Sequence, residues 1–279
     1  MSQRSYDDSP SLYLIPTPIG NLDDITIRAL NVLKTVDFLL CEDTRETGKL
    51  LNYFDIKKKL VSCHEFNEEK IKTYVIKELE AGKNIGLVTD QGSPIISDPG
   101  YIVVREVIKN SFNVISLPGA TAFVPALTSS GINPSPFLFY GFLNAKESKQ
   151  RKELEKLKNQ KCTMIFYESP HRIKTTLSNM LQIFGDRNIS INREISKIYE
   201  EVYRDKISEL LPLCDSMKGE MVVVVEGDLT VQDYSDLSVL EHVKLYLDDG
   251  ITEKEAIKIV AKERNVAKSL VYKEYHDNK

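Results

Sequence analysis

Residues 84–100 read NIGLVTDQGSPIISDPG. The opening NIGLVT has the length and apolar continuity of a strand buried on both faces. Two glycines, two prolines and two aspartates then break the pattern. Asp98-Pro99-Gly100 ahead of YIVVREVI reads as a helix start, with Asp98 as N-cap and Pro99 in the first turn, so a structural role is expected for Asp98. Asp90 to Pro94 fall at the carboxyl end of a strand expected to be parallel, the edge where open α/β sheets bind ligands. Glycine lets a ligand approach the backbone and proline stiffens the loop. The stretch matches neither GxxxxGK[ST] nor GxGxxG. Spacing alone leaves a binding loop and an ordinary connection both open.

The same unit recurs on either side. SLYLI, DFLLC, KLVSC and NVISL read as further strands, with helical patterns over 26–35, 44–53, 68–81, 101–110 and 123–129. Such alternation predicts a parallel sheet in an α/β fold. Thr17-Pro18-Ile19-Gly20-Asn21 closes the first strand as Asp90 to Pro94 closes the fourth, and Pro118-Gly119-Ala120-Thr121-Ala122 follows NVISL. Three such loops at equivalent strand ends point to one shared pocket.

GINPSP, residues 131–136, is a breaker cluster and the expected domain joint. Beyond it, FLFYGFL, TMIFYE, ISINREI and MVVVVEG are strands with fewer helices between them, which predicts a mixed or antiparallel sheet. A helix is expected from Pro170 to Phe184, capped by Ser169 and ended by Gly185. DLTVQDYSD, residues 228–236, reads as a linker, and Thr252 with Glu255 forms a capping-box signature in a terminal helical segment. The expected organisation is two α/β domains, 11–132 with a parallel sheet and 136–227 with a mixed sheet, plus a small helical extension, 237–279.

A chain of 279 residues can bury cores of this size. It has no apolar run near the ~18 residues of a membrane span, and the polar, acidic MSQRSYDDSPS is neither a signal nor a transit peptide. The four cysteines form no CxxC pair, which argues against zinc or a disulfide framework and for a reducing cytoplasm. A net charge of −4 gives no overall basic footprint, so an RNA partner would need a local patch.

Several polar groups invite two readings. Cys41-Glu42-Asp43-Thr44-Arg45 ends the second strand; it is either a helix start capped by Asp43 or a polar site that orients a hydroxyl. His64-Glu65-Phe66-Asn67-Glu68 is equally open. His171 and Arg172 are expected in a first helical turn, where the dipole disfavours cations; phosphate binding and a salt bridge to Glu168 or Glu194 both fit. The basic-leaning run 146–161 is either a solvated face or a track for an RNA backbone.

LIPTPIGNLDDITIRAL, CEDTRETGKLL, HEFNE, VTDQGSPIISDPGY, LPGATAF, IFYESPHRI, REISKIYEE and GEMVVVVEG, in this order from about Leu12 to Gly227, resemble the small-subunit ribosomal RNA methyltransferases of the tetrapyrrole-methylase superfamily. The terminal helices resemble the small extension often found there. The resemblance implies two α/β domains with S-adenosylmethionine in the cleft between them, a homodimer and no metal. It implies methylation of the ribose 2′-hydroxyl of a cytidine, nucleotide 1402, in 16S rRNA of the small ribosomal subunit. Thr17, Pro18, Gly20, Asp90, Gln91, Gly92, Ser93, Pro94, Ile96, Thr121, Ala122 and Glu168 would then bind the cofactor. Gln91 stands where Ala is common and Ser93 where Thr is common, tolerable changes if backbone groups make the contacts. A carboxylate or histidine beside the ribose hydroxyl would assist attack; Asp43, Glu42 and His64 are the candidates, with Arg45 holding a carboxylate or phosphate. His171, Arg172, Arg193 and Lys197 are candidates for RNA phosphate contact. A tetrapyrrole-precursor methyltransferase and a non-catalytic RNA-binding assembly factor are the competing expectations.

Overall fold

The computed structural model describes residues 3–5, 7–64, 66–230, 234 and 236–279. Residues 1–228 form one compact unit and 229–279 another. The expected linker lies partly outside the described residues, as does Glu65 of the HEFNE motif.

Five strands of the larger unit, β1 (Ser11–Leu14), β2 (Phe38–Cys41), β3 (Lys59–Ser62), β4 (Ile85–Leu87) and β5 (Asn113–Ser116), build a sheet in the order β3-β2-β4-β1-β5. All its pairings are parallel. Each crossover carries a helix: α1 (Ile27–Thr35), α2 (Thr44–Tyr53), α3 (Glu68–Glu80) and α4 (Tyr101–Lys109). Leu12, Leu14, Phe38 and Leu40 pack on one face with Val75 and Leu79 of α3 and Val103 and Val107 of α4. Ile15, Leu39 and Cys41 pack on the other with Ala29 and Leu33 of α1 and Leu51 of α2. Alternate residues of one strand thus serve opposite layers, so the strands are apolar throughout.

Helix α5 (Phe123–Ser129) leads to the second sheet. Its strands are β6 (Phe137–Phe142), β7 (Thr163–Glu168), β8 (Asn188–Arg193), β9 (Glu201–Lys206) and β10 (Met221–Val225), ordered β6-β7-β10-β8-β9. Only β6-β7 is parallel, so the sheet is mixed. Between these strands lie α6 (Glu147–Leu157), α7 (Ile173–Phe184) and the short α8 (Ile207–Leu210). One face of the sheet packs against all three. The other receives Ala126 and Leu127 of α5 against Ile165, Val222 and Val224. Strand β9 was not expected: EVYRDK is a polar, largely exposed edge strand without apolar alternation.

Two helix starts differ from expectation. Helix α4 has Gly100, not Asp98, as N-cap, and receives no side-chain bond from its cap; instead Glu68 of α3 accepts from Ile102 N at 2.9 Å. Helix α7 begins at Ile173, with Arg172 as N-cap. Pro170, His171 and Arg172 form the preceding turn, and both Arg172 N and Ile173 N donate to Ser169 O.

The smaller unit holds α9 (Val239–Asp248), α10 (Glu253–Glu263) and α11 (Lys268–Asp277) around Val243, Ile257, Val260, Val271 and Tyr275. The complete capping box is Ser238 with Glu241. At Thr252 the hydroxyl bonds the Glu255 carboxylate directly, with no side-chain bond to the backbone. Among the described residues no helix is long and apolar enough to cross a membrane.

Candidate active site

Because β2, β4, β1 and β5 are neighbours in the first sheet, the loops leaving their carboxyl ends meet. The loop after β1 closes on the loop after β4 through paired backbone bonds: Thr17 N to Gly92 O, 2.9 Å, and Gly92 N to Thr17 O, 3.0 Å. Thr17 Oγ1 also donates to Thr89 O at 3.1 Å. Ser93 Oγ ties the same loop to the one after β5 through Ala120 O, 3.0 Å. Glu42 and Asp43 join from β2, where Asp90 accepts from Asp43 N at 3.2 Å.

These loops and the second sheet enclose a cavity of about 500 Å³, within the range of small-molecule sites. One wall is Ile19, Glu42, Asp90 to Ser93, Ile96 to Asp98, Thr121 and Ala122. The other is Phe142, Tyr167 to Pro170, Asn192, Ile195, Lys197 and Glu220 to Val222. Of the residues expected at a cofactor, Asp90, Gln91, Gly92, Ser93, Ile96, Thr121, Ala122 and Glu168 line it. Thr17, Pro18, Gly20 and Pro94 are not in the lining; Thr17 and Pro94 are buried behind it. Gly20 packs so closely on the Lys197 side chain that a Cβ there would overlap it.

The charges are uneven. Glu42, Asp90, Asp98, Glu168 and Glu220 face one cation of the lining, Lys197, which is bound to Glu194 at 3.0 Å and Glu220 at 2.8 Å. Burial raises the carboxyls of Glu42 and Asp90, and each is raised further by a neighbouring carboxylate. Burial pushes Asp98 up to about 6, with Glu42 and Asp90 adding to the effect. Thr89 is 3% exposed and its hydroxyl has no hydrogen-bond partner; its nearness lowers the Glu42 and Asp98 carboxyls.

Of the four residues expected at the chemistry, only Glu42 reaches the cavity wall. Asp43 caps α2 through Arg45 N, 2.8 Å, and pairs with the Arg45 guanidinium at 2.6 Å. These bonds hold its carboxyl down at about 2. Arg45 itself is 85% exposed. His64 lies near enough to lower the Glu42 carboxyl, and its buried Nδ1 has no hydrogen-bond partner.

Glu168 is 2% exposed. It accepts from Ser169 N at 2.8 Å and Thr176 Oγ1 at 2.6 Å, and lies 3.6 Å from Arg172 Nε. Arg172 donates to Leu143 O and Asn144 O, 2.7 and 3.1 Å. Arg193 bonds Lys218 O and Glu201. Three of the four expected phosphate cations are therefore engaged internally; His171 is exposed. Sequence reading missed Asp98, Phe142, Tyr167, Asn192 and Glu220 as cavity residues. Asp98 carried a signal, but the following Pro-Gly gave it the look of a cap. Phe142 carried none, since its place depends on the pairing of β6 with β7.

The loops at the carboxyl ends of one parallel sheet, facing a second, mixed sheet across a ligand-sized cavity, define a known class. The chain belongs to the tetrapyrrole (corrin/porphyrin) methylase family, whose model matches residues 11–211. Within that family its relatives are proteins named ribosomal RNA small subunit methyltransferase I. The one from Bacillus subtilis is 48% identical, covering 99% of this chain and 97% of the relative. The one from Halalkalibacterium halodurans is 46% identical, covering 99% of each. Among solved structures, a uroporphyrin-III C-methyltransferase from Thermus thermophilus, complexed with S-adenosylhomocysteine, superposes with a TM-score of 0.57 at 16% identity, over 77% of this chain and 97% of that one. That likeness concerns the fold.

Proposed function

We propose that this protein transfers a methyl group from S-adenosylmethionine to 16S rRNA of the small ribosomal subunit, at the ribose 2′-oxygen of cytidine 1402. One observation carries the reading: relatives named for small-subunit rRNA methylation match essentially the whole chain at close to half identity.

The cavity fits the cofactor. It is ligand-sized, and five carboxylates against one paired lysine suit a cationic sulfonium and disfavour phosphate. Gly92, at φ +82°, lets backbone amide and carbonyl groups approach a ligand. In this reading Asp90 to Ser93, Ile96, Thr121 and Ala122 hold the cofactor directly. Thr17, Pro18, Gly20 and Pro94 shape the loops, and Glu168 fixes the turn opposite.

When bound, S-adenosylmethionine supplies an electrophilic methyl group, so the chain's own work is to align the acceptor, exclude water and accept a proton. Glu42 is the expected candidate placed for contact with the acceptor. Asp43, which caps α2 and pairs with Arg45, orients the Glu42 loop, and His64 lies near Glu42. RNA phosphates remain outside the acidic cavity, near His171; Arg172, Arg193 and Lys197 hold the walls. The two sheets are proposed as domains 11–132 and 136–227, with 237–279 as the extension, in a homodimer.

The test is transfer of labelled methyl groups to small subunits lacking the modification, with tetrapyrrole precursors assayed in parallel. Label mapped to 2′-O-methylcytidine in 16S rRNA is the expected result. Label in a precursor and none in rRNA overturns the reading, and cofactor binding without turnover favours an assembly factor.

A further inference from the structure

Asp98 lies two residues before the cap of α4 and does no capping. Glu68 takes that role from α3 by accepting from Ile102 N at 2.9 Å, and Gly100 is the cap residue. The Asp98 carboxylate is left in the cavity wall. Its loop holds it there at some cost: Ile95 and Ser97 have φ of +76° and +70°, a left-handed conformation strained for a β-branched residue. Strain of this kind concentrates at functional sites. Thr89 supplies an independent sign of a ligand, because its buried hydroxyl, close enough to lower the Glu42 and Asp98 carboxyls, has no hydrogen-bond partner.

The surroundings indicate which ligand group belongs there. A Cβ on Gly141 would come within 3.0 Å of Ser97 Oγ, so the end of β6 lies against the Asp98 loop. Beside it Phe142, 54% exposed, meets the Tyr167 ring edge to face at 5.4 Å. Phe142 and Tyr167 both line the cavity. An exposed aromatic ring at a cavity wall is a platform for a nucleobase. A nucleoside stacked on Phe142 would lie beside the Asp98 loop.

We propose that Asp98 is the proton acceptor for the ribose hydroxyl, with the Thr89 hydroxyl beside its carboxylate; this rests on the methyltransferase reading above. The ribose oxygen bonds the methyl carbon, the methyl–sulfur bond breaks with its electron pair left on sulfur, and the hydroxyl proton passes to Asp98 and then to water. The groups facing Asp98 are Glu42 from the end of β2, Asp90 and Thr89 from the end of β4, and Tyr167 from β7. None is a cation, and burial with like charges makes Asp98 a stronger base that is still ionised at neutral pH. Asp43, held at about 2 by Arg45, is a far weaker base.

The experiment compares wild type, Asp98→Asn, Asp98→Glu and Thr89→Val for methyl transfer to unmodified small subunits between pH 5 and 9. S-adenosylhomocysteine affinity and thermal melting are measured on the same samples. Asp98→Asn is expected to lower kcat by about 100-fold or more, with cofactor-product affinity within about three-fold by the same criterion of an intact binding loop. It should also remove the acidic limb expected of wild type near pH 6, and Asp98→Glu should recover part of the rate. Thr89→Val moves that limb to higher pH, since the hydroxyl lowers the Asp98 carboxyl. A folded Asp98→Asn with wild-type kcat, or one that keeps the acidic limb, overturns the assignment. If Asp98→Asn does not fold, an unmoved limb in Thr89→Val overturns it. Wild type inactive on rRNA removes the parent reading and this one together; an active wild type with an active Asp98→Asn removes only this one.

Discussion

Thr17, behind the cavity wall, and Gly92, in that wall, are joined by two backbone hydrogen bonds, 2.9 and 3.0 Å long. This isolated bridge joins the loops after β1 and β4, adjacent strands that lie more than sixty residues apart in the chain. It works only while residue 92 keeps φ at +82°, a conformation open to glycine at little cost.

Gly92→Ala should therefore weaken cofactor binding. The new Cβ lies 3.3 Å from Ile19 Cγ2, and the left-handed backbone costs about 1 kcal/mol outside glycine. We expect S-adenosylhomocysteine affinity, measured by calorimetry, to fall by about ten-fold. Unchanged affinity would show that the bridge plays no part in the site.

Glu168→Ala should act on stability first. It leaves Thr176 Oγ1 and Ser169 N, both donors to Glu168, without their buried acceptor. A loss of about 3 kcal/mol is expected, or roughly 6–12 °C in melting temperature for a unit of this size. Glu168→Gln, which keeps one acceptor oxygen, should lose about half as much by the same reasoning. A melting temperature equal to wild type in Glu168→Ala would contradict this role.

Glu42→Gln and Asp43→Asn separate the two carboxylates that follow β2. Glu42 lines the cavity and Asp43 does not. The first should lower kcat by about ten-fold, and the second by less than about three-fold, since amide oxygen still caps α2. The reverse order in single-turnover assays would return Asp43 to the chemistry.

Asp98 also makes a prediction about pH and stability. Its folded carboxyl is raised to about 6 from an ordinary value of 3.8, so the folded state binds the proton more tightly than the unfolded chain. Stability from this group is present below the unfolded value and is lost as pH rises through about 6. Asp98→Asn should then be more stable than wild type at pH 8, by about 1 kcal/mol after solvent screening is discounted. The advantage should vanish by about pH 4 on the same linkage. Melting curves at both pH values check it, and a variant less stable at pH 8 would contradict it.

His171 and Arg172, adjacent in sequence, should behave differently. Arg172 is bound to Leu143 O and Asn144 O, so Arg172→Ala should lower the melting temperature. His171→Ala should leave stability unchanged and reduce the salt slope of RNA binding by at most about 1. Equal effects of the two on the salt slope would restore Arg172 as a phosphate contact.

Much of the fold was legible because its strands are short apolar runs and its helices are periodic. Helices α1, α2 and α5 lie where their patterns place them. Strand β9 escaped because a solvated edge needs no apolar alternation. The start of α7 was misplaced because Ser169-Pro170 imitates a capped first turn; the chain spends those residues on a turn around Glu168 instead.

What the sequence alone determined is the set of loops at the strand ends and, through their ordered motifs, the family and its cofactor. Those are local properties, carried by glycine, proline and polar residues following apolar runs. Which loops meet was decided by the tertiary structure. The order β3-β2-β4-β1-β5 inserts β4 between β2 and β1 and so brings Glu42 beside Asp90 and Asp98. The same folding gives the cap of α4 to Glu68, a residue 34 positions from the amide it receives. Helix-start chemistry therefore marked Asp98 as structural, while a distant carboxylate in the cap position leaves it free for the cavity.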